Sequence, residues 1–125
     1  MIAHVTVSTA QLPETLEFYQ WLLQLPLARK LQTPRGEIVF LGENETKLEL
    51  VEDAAAEKIQ AKGLTIGFAV ASLEEKIALL DSRQIPHSDI ISPLPGVKFA
   101  FFRDLNGCEI QLCEDALNEH VGAIS

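Results

Sequence analysis

Hydrophobic and polar positions change period several times along the chain, and the changes mark out elements. Over residues 1–8, Ala3, Val5 and Val7 alternate with Ile2, His4 and Thr6, which predicts a strand. From Leu12 the period lengthens. Leu12, Leu16, Tyr19 and Leu23 recur three or four apart, and Phe18, Leu22 and Leu25 widen the stripe, as a helix pressed on a sheet requires. Pro26 ends it. Thr33-Pro34-Arg35-Gly36 suits a tight turn with proline second. Residues 37–41 and 47–52 then read as a hairpin around Gly42-Glu43-Asn44.

The same order returns at an offset of about 60 residues, so the chain reads as two copies of one module. Residues 63–70 predict a strand. Ser72 and Glu75 form a capping box, and Leu73, Ile77 and Leu80 give the helix that follows its apolar stripe. A weak strand is expected over 88–91. Pro95-Gly96 turns the chain, and 97–103 pairs with 108–113 around Asn106-Gly107. Each module is thus strand, helix, then three strands. Their boundaries are about 1–52 and 63–113 within a single domain spanning 1–125. The polar stretch 53–62, EDAAAEKIQAK in context, predicts a helical connector, and 114–125 a tail.

Separating the strands by parity gives two surfaces. One carries Ala3, Val5, Val7, Leu48, Leu50, Leu64, Ile66, Phe68, Val70, Ile110 and Leu112, a core face for the two helices. The other carries His4, Thr6, Lys47, Glu49, Thr65, Gly67, Ala69, Glu109 and Gln111, which are polar or small. Such a face is either simply solvated or curved into a cup around a ligand. The repeat favours the cup: a pseudo-twofold axis brings His4, Glu49, Thr65 and Gln111 toward one centre.

Composition narrows the partners. The 125 residues carry 18 acidic and 10 basic side chains, a net charge of −8, so a nucleic-acid backbone is repelled. With 47% apolar and 22% charged residues the chain is of ordinary globular composition. No apolar run is long enough for a membrane helix and the start lacks a signal-peptide pattern, so the expected location is cytoplasmic, with no membrane partner. The two cysteines, Cys108 and Cys113, have a spacing that suits neither a mutual disulfide nor a zinc knuckle, and they read as small, partly buried hydrophobes. His87 and His120 are expected in solvent, Lys47 in an ion pair with Glu49, and Trp21 against the core or a partner subunit. Phe99 and Phe101 share one face of their strand and Phe102 takes the other, so one set can line a cup wall.

The start HVTVST, the Phe18-Tyr19 pair, GLTIGFAV and FRDLNGCEIQL together resemble the vicinal oxygen chelate superfamily, which contains glyoxalase I, the bleomycin- and fosfomycin-resistance proteins and the extradiol dioxygenases. The resemblance implies an α+β fold: two βαβββ modules forming a cup-shaped, mostly antiparallel sheet with helices on the outer face, often in a homodimer. In the metal-dependent members, four strand positions supply ligands. By motif these fall on His4, Glu49, Thr65 and Gln111, the same four that parity selects.

Two of the four depart from the family pattern. Thr65 stands where histidine is usual, and its neutral hydroxyl is a poor ligand. Gln111 stands where glutamate is usual, and its amide adds no charge and cannot serve as a base. The ion set reduces to His4, Glu49 and Gln111, which would hold one divalent ion (zinc, nickel or manganese) weakly if at all. Glu109 would replace the missing carboxylate only if a bulge shifted its strand. The expected function is therefore binding of a small organic metabolite or drug through His4, Glu49, Thr65 and Gln111. The alternative is a metal-dependent lyase or isomerase resembling lactoylglutathione lyase, with Glu49 as the catalytic residue.

Overall fold

The structure is a computed structural model and describes residues 1–116. Ten elements follow in order: β1 (His4–Thr9), α1 (Leu12–Leu23), β2 (Leu27–Thr33), β3 (Gly36–Leu41), β4 (Lys47–Glu52), β5 (Ile66–Ala69), α2 (Leu73–Ser82), β6 (Ile91–Leu94), β7 (Val97–Arg103) and β8 (Glu109–Asp115). This is two βαβββ modules in an α+β fold. The strands form two four-stranded mixed sheets, ordered β1-β4-β3-β2 and β5-β8-β7-β6. In each sheet the first strand pairs parallel with the fourth, and the remaining pairs are antiparallel. Backbone contacts divide the chain into two compact units, Met1–Glu57 and the residues from Lys58 onward.

In the first unit, α1 starts with Pro13 near its N-terminus, where a missing N–H costs nothing, and stops at Gln24 in the left-handed conformation (φ 53°). It packs on β4. Its buried residues are Leu12, Thr15, Phe18, Tyr19 and Leu22, against Val7, Val39, Leu41, Leu48 and Leu50 from the strands. Leu16 and Leu23, expected in the stripe, are half-buried. Thr15 takes their place because its hydroxyl donates to the Gln11 carbonyl at 2.7 Å and meets the Thr9 hydroxyl at 3.2 Å, so it is buried without a stranded polar group. Trp21 packs against Phe18, ring centroids 5.9 Å apart.

In the second unit, Ser72 Oγ accepts from Glu75 N at 3.3 Å, the cap expected from sequence. Leu73 and Leu80 of α2 are fully buried, and the helix rests on β7 and β8, whose core face carries Ala100, Phe102, Ile110 and Leu112. Lys98 pairs with Glu74, tying β7 to α2.

Several expectations need correction. The connector over 53–62 is not helical. Asp53 Oδ1 accepts from Ala55 N (2.9 Å) and Asp53 O from Ala56 N (3.0 Å), a local turn that competes with helix initiation. Farther on, Ile59 N donates to Asn106 O (2.7 Å), a long-range bond that takes the place of a helical one. The strand expected over 63–70 starts at Ile66, and Leu64 is 69% exposed and not in the core. Ala3 is exposed as well. The weak strand expected over 88–91 lies at Ile91–Leu94, although Ser88 still donates its N–H to Phe101 O (2.8 Å). Glu114 and Asp115, assigned to the tail, extend β8. The rest of the tail, with His120, lies outside the described residues.

The pairing expected around Asn106-Gly107 forms, β7 running antiparallel to β8. Five residues, Asp104 to Cys108, join β7 to β8. Asp104 Oδ1 accepts from Asn106 N and Cys108 N, both at 2.9 Å, and builds the loop from inside. Gly107 has φ +87°, and a Cβ there would lie 2.5 Å from Ile59 O, so only glycine lets the 58–59 segment approach.

Candidate functional site

The parity of each sheet places the candidate residues on the face away from its helix. In the first unit the parallel register sets His4 opposite Lys47 and Thr6 opposite Glu49. Glu49 sits between two partners: the Thr6 hydroxyl donates to Oε1, and His4 Nε2 lies 3.4 Å from the same oxygen. The Glu49 side chain is only 13% exposed, against 43% for His4. Phe40 is paired with Glu49 across β3 and meets the His4 ring edge-on, centroids 5.7 Å apart. Ile38 and Leu31 continue that surface, both half-buried. Lys47 does not make the ion pair with Glu49 expected from sequence. Its Nζ donates instead to the Glu45 carbonyl at 2.7 Å. The first unit therefore brings His4 and Glu49 together and adds Thr6, which sequence reading placed on this face without a role.

In the second unit, Thr65 donates its hydroxyl to Glu109 Oε1, and Arg103 lies 3.5 Å from Glu109 Oε2. Gln111 stands opposite Gly67 on β5 and Phe101 on β7. A Cβ at Gly67 would meet only Gln111 Oε1, at 3.4 Å, so the backbone beside Gln111 is open to an approaching group. Phe101 and Phe99 share this face, edge to face at 5.6 Å, while Phe102 is buried on the other, as their alternation predicts. The register of β8 runs unbroken from Arg103–Glu109 to Val97–Asp115, so no bulge moves Glu109 into the position of Gln111. Thr65 thus binds Glu109, a pairing the spacing of the two residues gave no means to foresee.

A cavity of about 410 Å³ lies in the second unit, lined by residues 86–88, 101–103 and Glu109. His87, expected in solvent, lines it. Its Nδ1 lies 2.7 Å from Ser88 O and its Nε2 2.6 Å from Asp81 Oδ1. Both neighbours accept, so the Ser88 carbonyl first and the Asp81 carboxylate second favour the doubly protonated ring and raise its pKa above the ordinary 6.5. Both cysteines are free. Burial, reinforced by the Asp104 charge, pushes the Cys108 thiol up to about 11, and burial also raises Cys113.

As a metal site the donor set is a poor match. Among the described residues there is no group of three His, Cys, Asp or Glu side chains placed to hold an ion. Of the first unit's donors, Glu49 is already bonded by Thr6. In the second unit Thr65 and Gln111 are neutral, and Glu109, a carboxylate on the same face, is engaged by Thr65 and Arg103. No described helix is long and apolar enough to cross a membrane.

Solved structures of proteins with different activities share this fold. The trypanothione-dependent glyoxalase I of Leishmania major aligns with TM-score 0.77 and 22% identity, covering 98% of this chain and 91% of that one. The fosfomycin resistance protein FosX of Listeria monocytogenes, complexed with Mn(II) and sulfate, aligns with TM-score 0.75 and 15% identity, covering 100% and 98%. TnmS3, an antibiotic binding protein from a Streptomyces species, aligns with TM-score 0.68 and 17% identity, covering 93% and 95%. No curated protein matches the chain. The family model of the Glyoxalase/Bleomycin resistance protein/Dioxygenase superfamily matches residues 1–112, and the chain belongs to that superfamily.

Proposed function

We propose that this protein binds a small organic metabolite or drug on the open, polar faces of its sheets, and that binding needs no metal. His4, Glu49, Thr65 and Gln111 supply polar contacts, and Phe40, Phe99 and Phe101 supply apolar wall. The observation that carries this reading is the donor chemistry: two of the four family ligand positions hold neutral side chains, and Glu49 is already held by Thr6. Neutral oxygens and an amide orient an organic guest well and hold a divalent cation poorly. An antibiotic-binding protein of the same fold is consistent with it. A homodimer in the cytoplasm completes the proposal.

The second reading is a metal-dependent lyase or isomerase. It is favoured by the 3.4 Å approach of His4 to Glu49, two donors that would hold an ion weakly, and by the likeness to a glyoxalase I. Glu49 is the one residue of the four whose carboxylate can take a carbon-bound proton.

A fragment screen by protein NMR in excess EDTA, with a parallel lyase assay, separates the two. The binding reading expects hits that shift His4 and Gln111 with EDTA present and weaken in His4→Ala and Gln111→Ala. Turnover of a methylglyoxal–thiol hemithioacetal on adding nickel or zinc, abolished by His4→Ala, overturns it in favour of the lyase.

A further inference from the structure

The cavity in the second unit has a wall chemistry that selects a class of guest. The isolated bridge His87–Phe102 aligns the 86–88 segment beside β7, which sets Ser88 opposite Phe101 and Pro86 opposite Arg103. Directly opposed residues share a sheet face, so Pro86, Ser88, Phe101, Arg103 and Glu109 all lie on the open face. The wall is fixed from within: Ser88 Oγ accepts from Phe101 N (2.9 Å) and donates to Asp89 O (2.9 Å). Phe101 and Pro86 offer apolar surface. Beyond them stand one guanidinium and one carboxylate, 3.5 Å apart, while the His87 ring that also lines the space is paired with the Asp81 carboxylate at 2.6 Å.

That separation is longer than a well-formed charged hydrogen bond, and the groups are about half and one-third exposed. Arg103 NH1 is fixed by the Gly107 carbonyl at 2.8 Å, and Glu109 Oε1 by the Thr65 hydroxyl. NH2 and Oε2 are left side by side, a donor next to an acceptor with no net charge. An anionic guest would meet Glu109 and a cationic one would meet Arg103, each a like-charge contact. A neutral group with an acceptor and a donor on neighbouring atoms satisfies both at once.

Resting on the ligand-binding reading above, we propose that this cavity takes the uncharged, amide-like edge of a planar aromatic ligand, its C=O toward Arg103, its N–H toward Glu109 and its ring on Phe101 and Pro86. At about 410 Å³ the space exceeds a single ring, so the ring-and-amide portion is one part of a larger guest.

Three single-ring probes, neutral, anionic and cationic, test it on the full chain by NMR titration: benzamide, benzoate and benzylamine. In the wild type, benzamide binds tightest, by about fivefold, the upper range of what a half-exposed charge contact is worth. Its shifts centre on Phe101, Arg103 and Glu109. Glu109→Gln removes the acceptor charge and moves the preference to benzoate. Arg103→Gln moves it to benzylamine. Circular dichroism confirms that both variants fold. Benzoate or benzylamine binding the wild type as tightly as benzamide overturns the assignment, as do variants that keep the wild-type order. Benzamide shifting His4 and Gln111 but not Arg103 also overturns it, while leaving the metal-free binding reading intact.

Discussion

Asp104 carries more of the second unit than its place in a loop suggests. It is 6% exposed, and its Oδ1 accepts from two buried backbone N–H groups, Asn106 and Cys108, each at 2.9 Å. Hydrogen bonds to a charged acceptor contribute about 1.5–3 kcal/mol each, and a buried donor left unpaired costs about 1–3 kcal/mol. Asp104→Ala strands both donors. Allowing for water entering the vacated space, the loss is about 3 kcal/mol. For a chain of this size that is a fall in melting temperature of about 12 °C. Asp104→Asn keeps an acceptor oxygen at the same place and gives up only the charge, so it costs about 1 kcal/mol. Urea unfolding followed by far-ultraviolet circular dichroism measures both. A loss below about 1 kcal/mol for the alanine variant, or equal losses for the two, refutes the view that this carboxylate builds the β7–β8 loop.

Three further outcomes follow from the geometry. Cys108, with its thiol raised to about 11, is alkylated at pH 8 about 100-fold more slowly than an ordinary thiol in the native protein and at the ordinary rate in urea; equal rates in both states contradict its burial. His87 is stabilised in its protonated form, so its contribution is complete below the ordinary 6.5 and fades as pH rises through the raised value. The melting-temperature gap between wild type and His87→Gln is therefore larger at pH 5.5 than at pH 8.5, and a gap that grows with pH refutes the assignment. Loss of a single outer-shell partner weakens metal sites by about 10- to 100-fold, so restoring two direct donors in Thr65→His/Gln111→Glu tightens nickel binding by at least about 100-fold in calorimetry. No gain would contradict the view that the neutral side chains at these two positions are what limits metal binding.

Much of this molecule is legible in its sequence because strand parity is a two-valued code. In β7, the alternation separates Phe99 and Phe101 from Ala100 and Phe102, as the structure does, and Ser72 with Glu75 marks the start of α2. The misreadings share a cause: a long-range or side-chain hydrogen bond overrode a local preference. Alanines 54–56 favour a helix, yet Asp53 captures the amide of Ala55, and Ile59 is drawn to Asn106. The cavity beside Glu109 joins residues 86–88 to 101–109, and its one trace in the sequence is that Pro86 and Ser88 flank His87 with the parity of an edge strand. The Thr6–Glu49 and Thr65–Glu109 bonds need the register of parallel strands, which no local pattern encodes.

The central claim is that an open-face site with this donor set works without a resident ion. Elemental analysis of protein purified without chelator, before and after exhaustive dialysis, tests it most directly. The account expects well under one equivalent of zinc, nickel and manganese combined, falling toward zero on dialysis. About one equivalent of a single metal retained through dialysis, and lost in His4→Ala, would contradict it.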